Sequence, residues 1–201
     1  MKLYKLTDEN GQTHNKTQWG EGVTHEGTGE GELCGPGWIH AYTHPLLAVF
    51  LNPIHANFKN FQLWEAEGEI DKTDNGLKIG SRKLTTLKII KLPVVGTTNR
   101  VAFGLLCAKE VDKHKSWNHW ADDWLSGKNR SAANAAAYTH ATYATTYAAN
   151  AATYAANAAA TTHATYAAAY AANAAAAAAY AANANADIDL IKISLAAMEV
   201  K

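Results

Sequence analysis

The 201 residues are enough for one large domain or two small ones, and eighteen basic residues balance eighteen acidic ones. No basic field therefore exists to gather phosphates, and nucleic acid is excluded as a partner. Only Cys34 and Cys107 are present, far apart and without CxxC spacing, which fits a reduced cytoplasmic protein better than a disulfide scaffold.

In chain order, "MKLYKLTDENGQTH" lacks an apolar h-region, so no secretory signal is expected. Within it, "KLYKL" (2–6) reads as a short strand. Residues 10–37 carry eight glycines without helical period and read as loops and short strands. "WIHAY" (38–42) alternates as a strand, and "THPLLAVFL" follows as a short helix with Thr43 as N-cap and Pro45 in the first turn, stopping before Pro53. "FQLWEAEGEI" (61–70) and "LKIGSRKLTTLKIIKL" (77–92) read as two strands with "DNG" (74–76) as the turn between them. Phe103, Cys107, Glu110, His114, Trp117, Ala121 and Trp124 are spaced as one face of a single helix ending near Ser126–Gly127, with its tryptophans capping the sheet domain.

From Ser131 to Ala186 run 56 residues without Asp, Glu, Lys or Arg, and 32 of them are Ala. Asn and His recur through the stretch and Leu, Ile and Val are missing, so it is too polar for a membrane span. "THATYATTYAAN" (from Thr139) and "THATYAAAYAAN" (from Thr162) are near-copies, in which Tyr143, Tyr147, Asn150, Tyr154 and Asn157, then Tyr166, Tyr170, Asn173 and Tyr180, form a Tyr/Asn seam on a helix. Their offset of 23 residues would swing the seam to another side of one unbroken rod. A break near Ala158–Thr162 and a fold-back of two helices, N-capped by Thr139 and Thr162, brings both seams to one space. An uncharged surface this long calls for cover, by a second copy or another partner protein. The expected fold class is α+β: a small mixed β-sheet domain over 1–98, then an Ala-rich helical hairpin or bundle over 99–201.

Few constellations can carry chemistry. Trp38, His40, Tyr42 and His44 fall on one strand face by alternation and together could stack a base or sugar ring; the plainer reading makes Trp38 and Tyr42 core and His40 a strand cap. Cys34, His40 and His44 lack a clear fourth zinc ligand, and neither metal nor cofactor is expected. Glu65 and Glu67 share a strand face, similar to the paired glutamates of some ADP-ribosyltransferases, where carboxylates favour an oxocarbenium-like transition state; otherwise they are a solvated face. Arg82 and Lys83 are candidates for a phosphate.

The run "GVTHEGTGEGELCGPGWIHAYTHPLLAVFLNP", with "LWEAEGEI" and "GLKIGSRKLTTLKI" after it, resembles an uncharacterised family encoded by phages and prophages. Leu33, Cys34, Gly37, Trp38, His40, Ala41, Pro45, Leu46, Gly68, Glu69 and Ile70 occupy its pattern, with Ile39 inserted between the aromatic and His40. The segment with Trp120, Trp124, Leu125, Gly127, Arg130 and Ser131, leading into Ala repeats, is similar to helical domains of bacterial immunity proteins. These resemblances imply an accessory protein of the host bacterial cytoplasm with a counter-defence or immunity-like role. It would act without catalysis, capturing a host protein or a small nucleotide-like ligand and assembling with itself through the Ala-rich helices. A nucleotide-transforming enzyme of ADP-ribosyltransferase-like type is one alternative. The other is an ice-binding helix, suggested by the 11-residue spacing of Thr139, Asn150 and Thr161, a row that Ala172 breaks.

Overall fold

The computed structural model describes residues 1–139, 147–182 and 188–201, with the backbone alone for 137–139, 147–149 and 182. Its fold class is α+β, in two units, Met1–Val94 and Val95–Lys201.

In the first unit, β1 (Lys2–Asp8), β6 (Phe61–Gly68), β9 (Lys83–Ile90) and β4 (Thr24–Glu26) form a four-stranded sheet in the order β1-β6-β9-β4. A three-stranded sheet runs β5 (Ile39–Ala41), β8 (Ile79–Ser81), β7 (Lys72–Thr73), and β2 (Gln12–Thr13) pairs with β3 (Thr17–Gln18). Among the described residues every ladder is antiparallel, which corrects the expectation of a mixed sheet. Most of the connections are loops and hairpins, whereas parallel neighbours need a long crossover, usually helical. Leu3, Trp19, Ala41, Ala66, Ile79 and Leu84 make one buried cluster, with Ile39 packed against it.

The run 77–92 is two strands in two sheets. Arg82 is the corner: its N–H donates to Asp71 Oδ2 at 2.8 Å and its carbonyl accepts from Gly27 N–H at 2.8 Å, so neither group is available to a continuous ladder. The "DNG" turn joins β7 to β8, with Asn75 and Gly76 at φ 46° and 79°, the left-handed geometry these residues tolerate. α1 (Pro45–Leu51) is capped by His44, whose ring Nδ1 accepts from Leu46 N–H at 3.3 Å; the cap expected at Thr43 lies one residue further on. A ring nitrogen serves as acceptor there, and Pro45 takes the first helical position, where its missing N–H costs nothing. Leu46 to Leu51 are all buried.

In the second unit, α2 (Thr97–Val111) and α3 (Lys115–Leu125) replace the single helix expected from the apolar spacing. Asp112 breaks it. Its Oδ1 accepts from both the backbone N–H and the ring Nδ1 of His114, each at 2.8 Å, and its carbonyl accepts from Asn118 Nδ2, a local turn that competes with helical bonding. The spacing persists across the break because each helix keeps its own apolar face: Phe103 and Cys107 on one, Trp117, Ala121 and Trp124 on the other, all buried.

α4 (Ala132–Thr139), α5 (Tyr147–Ala160) and α6 (Ala164–Ala182) are built from the Ala-rich stretch, and α7 is Leu190–Met198. α5 and α6 fold back on each other, and α2 packs on both. The chain leaves helix after Ala160, as expected, but His163 stands where Thr162 was expected to cap, its carbonyl accepting from Ala167 N–H at 2.9 Å. Thr139 is the last described residue of α4 and so lies within a helix instead of capping the start of one.

The two seams meet where Tyr154 and Tyr170 stack, but alanines make most of the buried helix contact. Ala151, Ala152, Ala155 and Ala156 on α5 and Ala167, Ala171, Ala174, Ala175 and Ala178 on α6 are the buried positions, whereas Asn150 is exposed and Tyr154, Tyr166 and Tyr180 are 37%, 61% and 41% exposed. Methyl groups allow the close backbone approach that a phenol ring would prevent. At the closest contact a Cβ on Gly104 of α2 would lie 3.0 Å from Ala171 Cα. Among the described residues no helix is long and apolar enough to cross a membrane.

Candidate functional site

The strand ends of the four-stranded sheet gather charge at one edge. Register places Glu67 opposite Lys2 on one side and Thr85 on the other, Gly68 opposite Leu84, and Glu26 opposite Lys83. The chain leaving β6 carries Glu69 and Asp71, and the Arg82 corner brings its guanidinium back beside Asp71. Met1, Glu26, Gly27, Glu67, Gly68, Glu69, Asp71, Arg82, Lys83 and Thr85 thus surround a cleft of about 570 Å³. Gly68 is required at its floor: a Cβ there would meet the Lys83 carbonyl oxygen at 2.7 Å and Ser81 Oγ at 3.0 Å. The Met1 amino group donates to the Gly68 carbonyl at 2.7 Å.

Four of the charges are matched. Lys83 Nζ lies 2.8 Å from Glu26 Oε1, which lowers the Glu26 carboxyl and raises the lysine. Arg82 gives its backbone N–H and its Nε, each at 2.8 Å, to the two oxygens of Asp71, holding that carboxyl below its ordinary range. Among the described residues, no side-chain hydrogen bond or ion pair engages Glu67 or Glu69, and both are exposed to the cleft. The site therefore presents two free carboxylates beside a guanidinium whose Nε is already fixed. Such a site can accept hydrogen bonds from hydroxyl or ammonium groups and offer the remaining Arg82 N–H groups to an anion.

Glu67, Arg82 and Lys83 are the three anticipated residues that meet in this cleft, Lys83 already paired with Glu26. Glu65 does not join them: Lys2 Nζ at 2.9 Å and Lys88 Nζ at 4.0 Å engage it, Lys2 chiefly lowering its pKa. Between Glu65 and Ala66 the ladder to β9 shifts register, so that Lys88 stands opposite Glu65 and Thr86 opposite Ala66.

The aromatic strand face is not assembled as a platform. Tyr42 is buried, and its hydroxyl lies 3.1 Å from His55 Nδ1. Trp38 donates its Nε1–H to the Gly31 carbonyl at 3.0 Å and lies beneath Lys72 Nζ. His40 Nε2 bonds the Leu33 carbonyl, and His44 caps α1. Burial lowers the pKa of both histidines. Among the described residues no group of three His, Cys, Asp or Glu converges to hold a metal ion.

Behind this face lies a buried polar cluster that hydropathy alone does not reveal. Lys5 Nζ donates to the His40 carbonyl at 2.7 Å and sits 4.9 Å from the centre of the Trp19 ring. Burial pulls its pKa down to about 8 and that of His55 down to about 3. Lys78, also buried, places Nζ 3.1 Å from Cys34 Sγ and 3.8 Å from Asp74. Lys5 within β1 and Lys78 in the loop just before β8 each stand between apolar neighbours in sequence, a signal easily passed over because lysine is rarely buried.

On the helical unit, Tyr154 and Tyr170 stack with ring centres 6.5 Å apart, and Tyr166 meets His163 edge-on at 5.8 Å. Tyr180 is at the surface. Tyr143 and the side chain of Tyr147 lie outside the described residues.

Residues 1–96 match the model of a family described as a domain of unknown function, DUF7666, so this half of the chain is similar to an uncharacterised family. No curated protein and no solved structure matches the chain.

Proposed function

We propose that this is a non-enzymatic binding protein, encoded by a phage or prophage and immunity-like in its helical tail, whose sheet unit captures a small nucleotide-like ligand in the cleft between β6, β9 and β4. The observation that carries the reading is the pair of unmatched carboxylates, Glu67 and Glu69, facing a cleft in which the neighbouring charges are paired. Carboxylates without a cation are suited to the vicinal hydroxyls of a ribose, and the outer N–H groups of Arg82 to a phosphate at the rim. Acidic groups outnumber basic ones among the lining side chains, so a ribosyl group with few phosphates fits better than a polyphosphate. The phage and immunity attributions rest on the sequence patterns around Cys34–Leu46 and Trp120–Ser131. Glu65 is already engaged by two lysines, which leaves no free pair of glutamates for transferase chemistry at that position.

Isothermal titration with adenosine, AMP, ADP-ribose and a cyclic dinucleotide tests this. ADP-ribose or AMP is expected to bind, and Glu67→Gln and Glu69→Gln each to weaken it roughly 10- to 150-fold, the worth of one hydrogen bond to a charged group. Absence of heat for all four probes, or binding unaffected by both substitutions, contradicts the reading.

A further inference from the structure

Cys34 stands in a tight turn, closed by the Gly35 N–H bonding the Glu32 carbonyl at 2.8 Å, and its side chain is open to solvent. Leu33 beside it is buried and its carbonyl is held by His40 Nε2, so the turn is pinned from below. Lys78 approaches from the other side, on the loop that follows the Asn75–Gly76 turn. That loop is fixed by Asp74 N–H to the Lys78 carbonyl at 3.0 Å and by Leu77 N–H to the Asp74 carbonyl at 2.7 Å. The lysine side chain is 10% exposed. A long flexible side chain has thus been given one position, with its nitrogen 3.1 Å from a sulfur that solvent can reach. Surface lysines do not hold such a contact, because rotamer entropy disperses them.

We propose that Cys34 and Lys78 form an oxidant-responsive covalent pair, in which hydrogen peroxide converts the Sγ···Nζ contact into a sulfur–nitrogen bond. In the first step the Cys34 thiolate attacks one peroxide oxygen and the O–O bond breaks. The departing hydroxide takes a proton from solvent as water, which leaves Cys34 as a sulfenic acid. In the second step Lys78 Nζ releases a proton to solvent and attacks Sγ, the S–N bond forms and the S–O bond breaks. The hydroxide leaves as water with the proton that the nitrogen sheds. Overall one thiol, one amine and one peroxide give one sulfenamide and two waters. Sulfur is oxidised by two electrons and peroxide is reduced. A vicinal nitrogen is what diverts a sulfenic acid from over-oxidation, and a thiol reductant returns both groups. Cys107 is buried, with its thiol pKa raised by burial, and takes no part.

Intact-mass and peptide-mapping spectrometry on the full chain tests the pair. After peroxide, the protein is expected to be lighter by two hydrogens, to lose tryptic cleavage after Lys78, and to give one crosslinked species joining the Cys34 and Lys78 peptides. Dithiothreitol restores the starting mass. Lys78→Met is expected instead to gain one oxygen that dimedone traps. The proposal is overturned by any of four results in the parent chain: dimedone trapping as efficient as in Lys78→Met, two or three added oxygens on Cys34 with Lys78 still cleaved, a crosslink that retains oxygen, or no peroxide reaction at Cys34. The mapping on the parent chain decides the matter even if the variant does not fold.

Discussion

His55 is held neutral by its surroundings. Burial lowers its pKa from 6.5 to about 3, the nearby Lys78 and His40 act in the same direction, and the Tyr42 hydroxyl lies 3.1 Å from Nδ1. Because the folded pKa is depressed, its contribution to stability is complete above the unfolded value near 6.5 and is lost as pH falls toward 3. In that window the unfolded chain binds a proton that the folded chain refuses, worth roughly 1.4 kcal/mol per pH unit. His40 and His44 shift in the same direction and steepen the fall. Urea unfolding between pH 6 and 5, above the carboxylate range, should show the decline, and His55→Gln should flatten it by about one proton's worth. Equal slopes in the two proteins would place His55 in water. Little of this is legible in the sequence, where "NPIHANF" follows the short helix that stops before Pro53 and nothing marks its histidine as half-buried. Glu67 and Arg82 were legible for the opposite reason: strand alternation and a basic dipeptide are local signals. Their meeting with Glu69 and Asp71 depends on the β7–β8 hairpin folding the chain back, and that is not local.

Among elements, the Ala-rich helices show how far periodicity reaches. The spacing of Tyr and Asn identifies helix, and the offset of the repeats suggests a fold-back without excluding a single rod, but a seam marks a face without saying whether that face is inside. Chemistry decides it: α2 offers Gly104 to Ala171, and at such separation only hydrogen and methyl groups fit between backbones. Gly104→Val should therefore lower the unfolding free energy by about 1–3 kcal/mol through overpacking, despite removing a helical glycine. A thermal melt unchanged from the parent would mean that α2 does not sit so closely on α6. The break between α2 and α3 escaped for a related reason. Apolar spacing continued across Asp112, whereas the interruption came from that residue's side chain bonding the His114 backbone, which hydropathy does not register.

At the scale of the whole molecule, the helical unit covers most of its own alanines and leaves Tyr154, Tyr166 and Tyr180 partly exposed on helices whose own sequence carries no Asp, Glu, Lys or Arg. Exposed aromatic rings on elements that carry no charged side chains suit the centre of an interface, so we expect two copies to associate there, and Tyr166→Lys to return the protein to monomer in sedimentation equilibrium. A monomeric parent at tens of micromolar would refute this. Ligand capture is assigned to the other unit and does not depend on association. Its most direct test is an amide-resolved NMR titration of the ¹⁵N-labelled chain with ADP-ribose. Progressive shifts confined to Glu26–Gly27, Glu67–Asp71 and Arg82–Thr85 are expected. Shifts centred on the Trp38 indole N–H or on the helices of residues 147–182, with the cleft silent, would contradict this assignment.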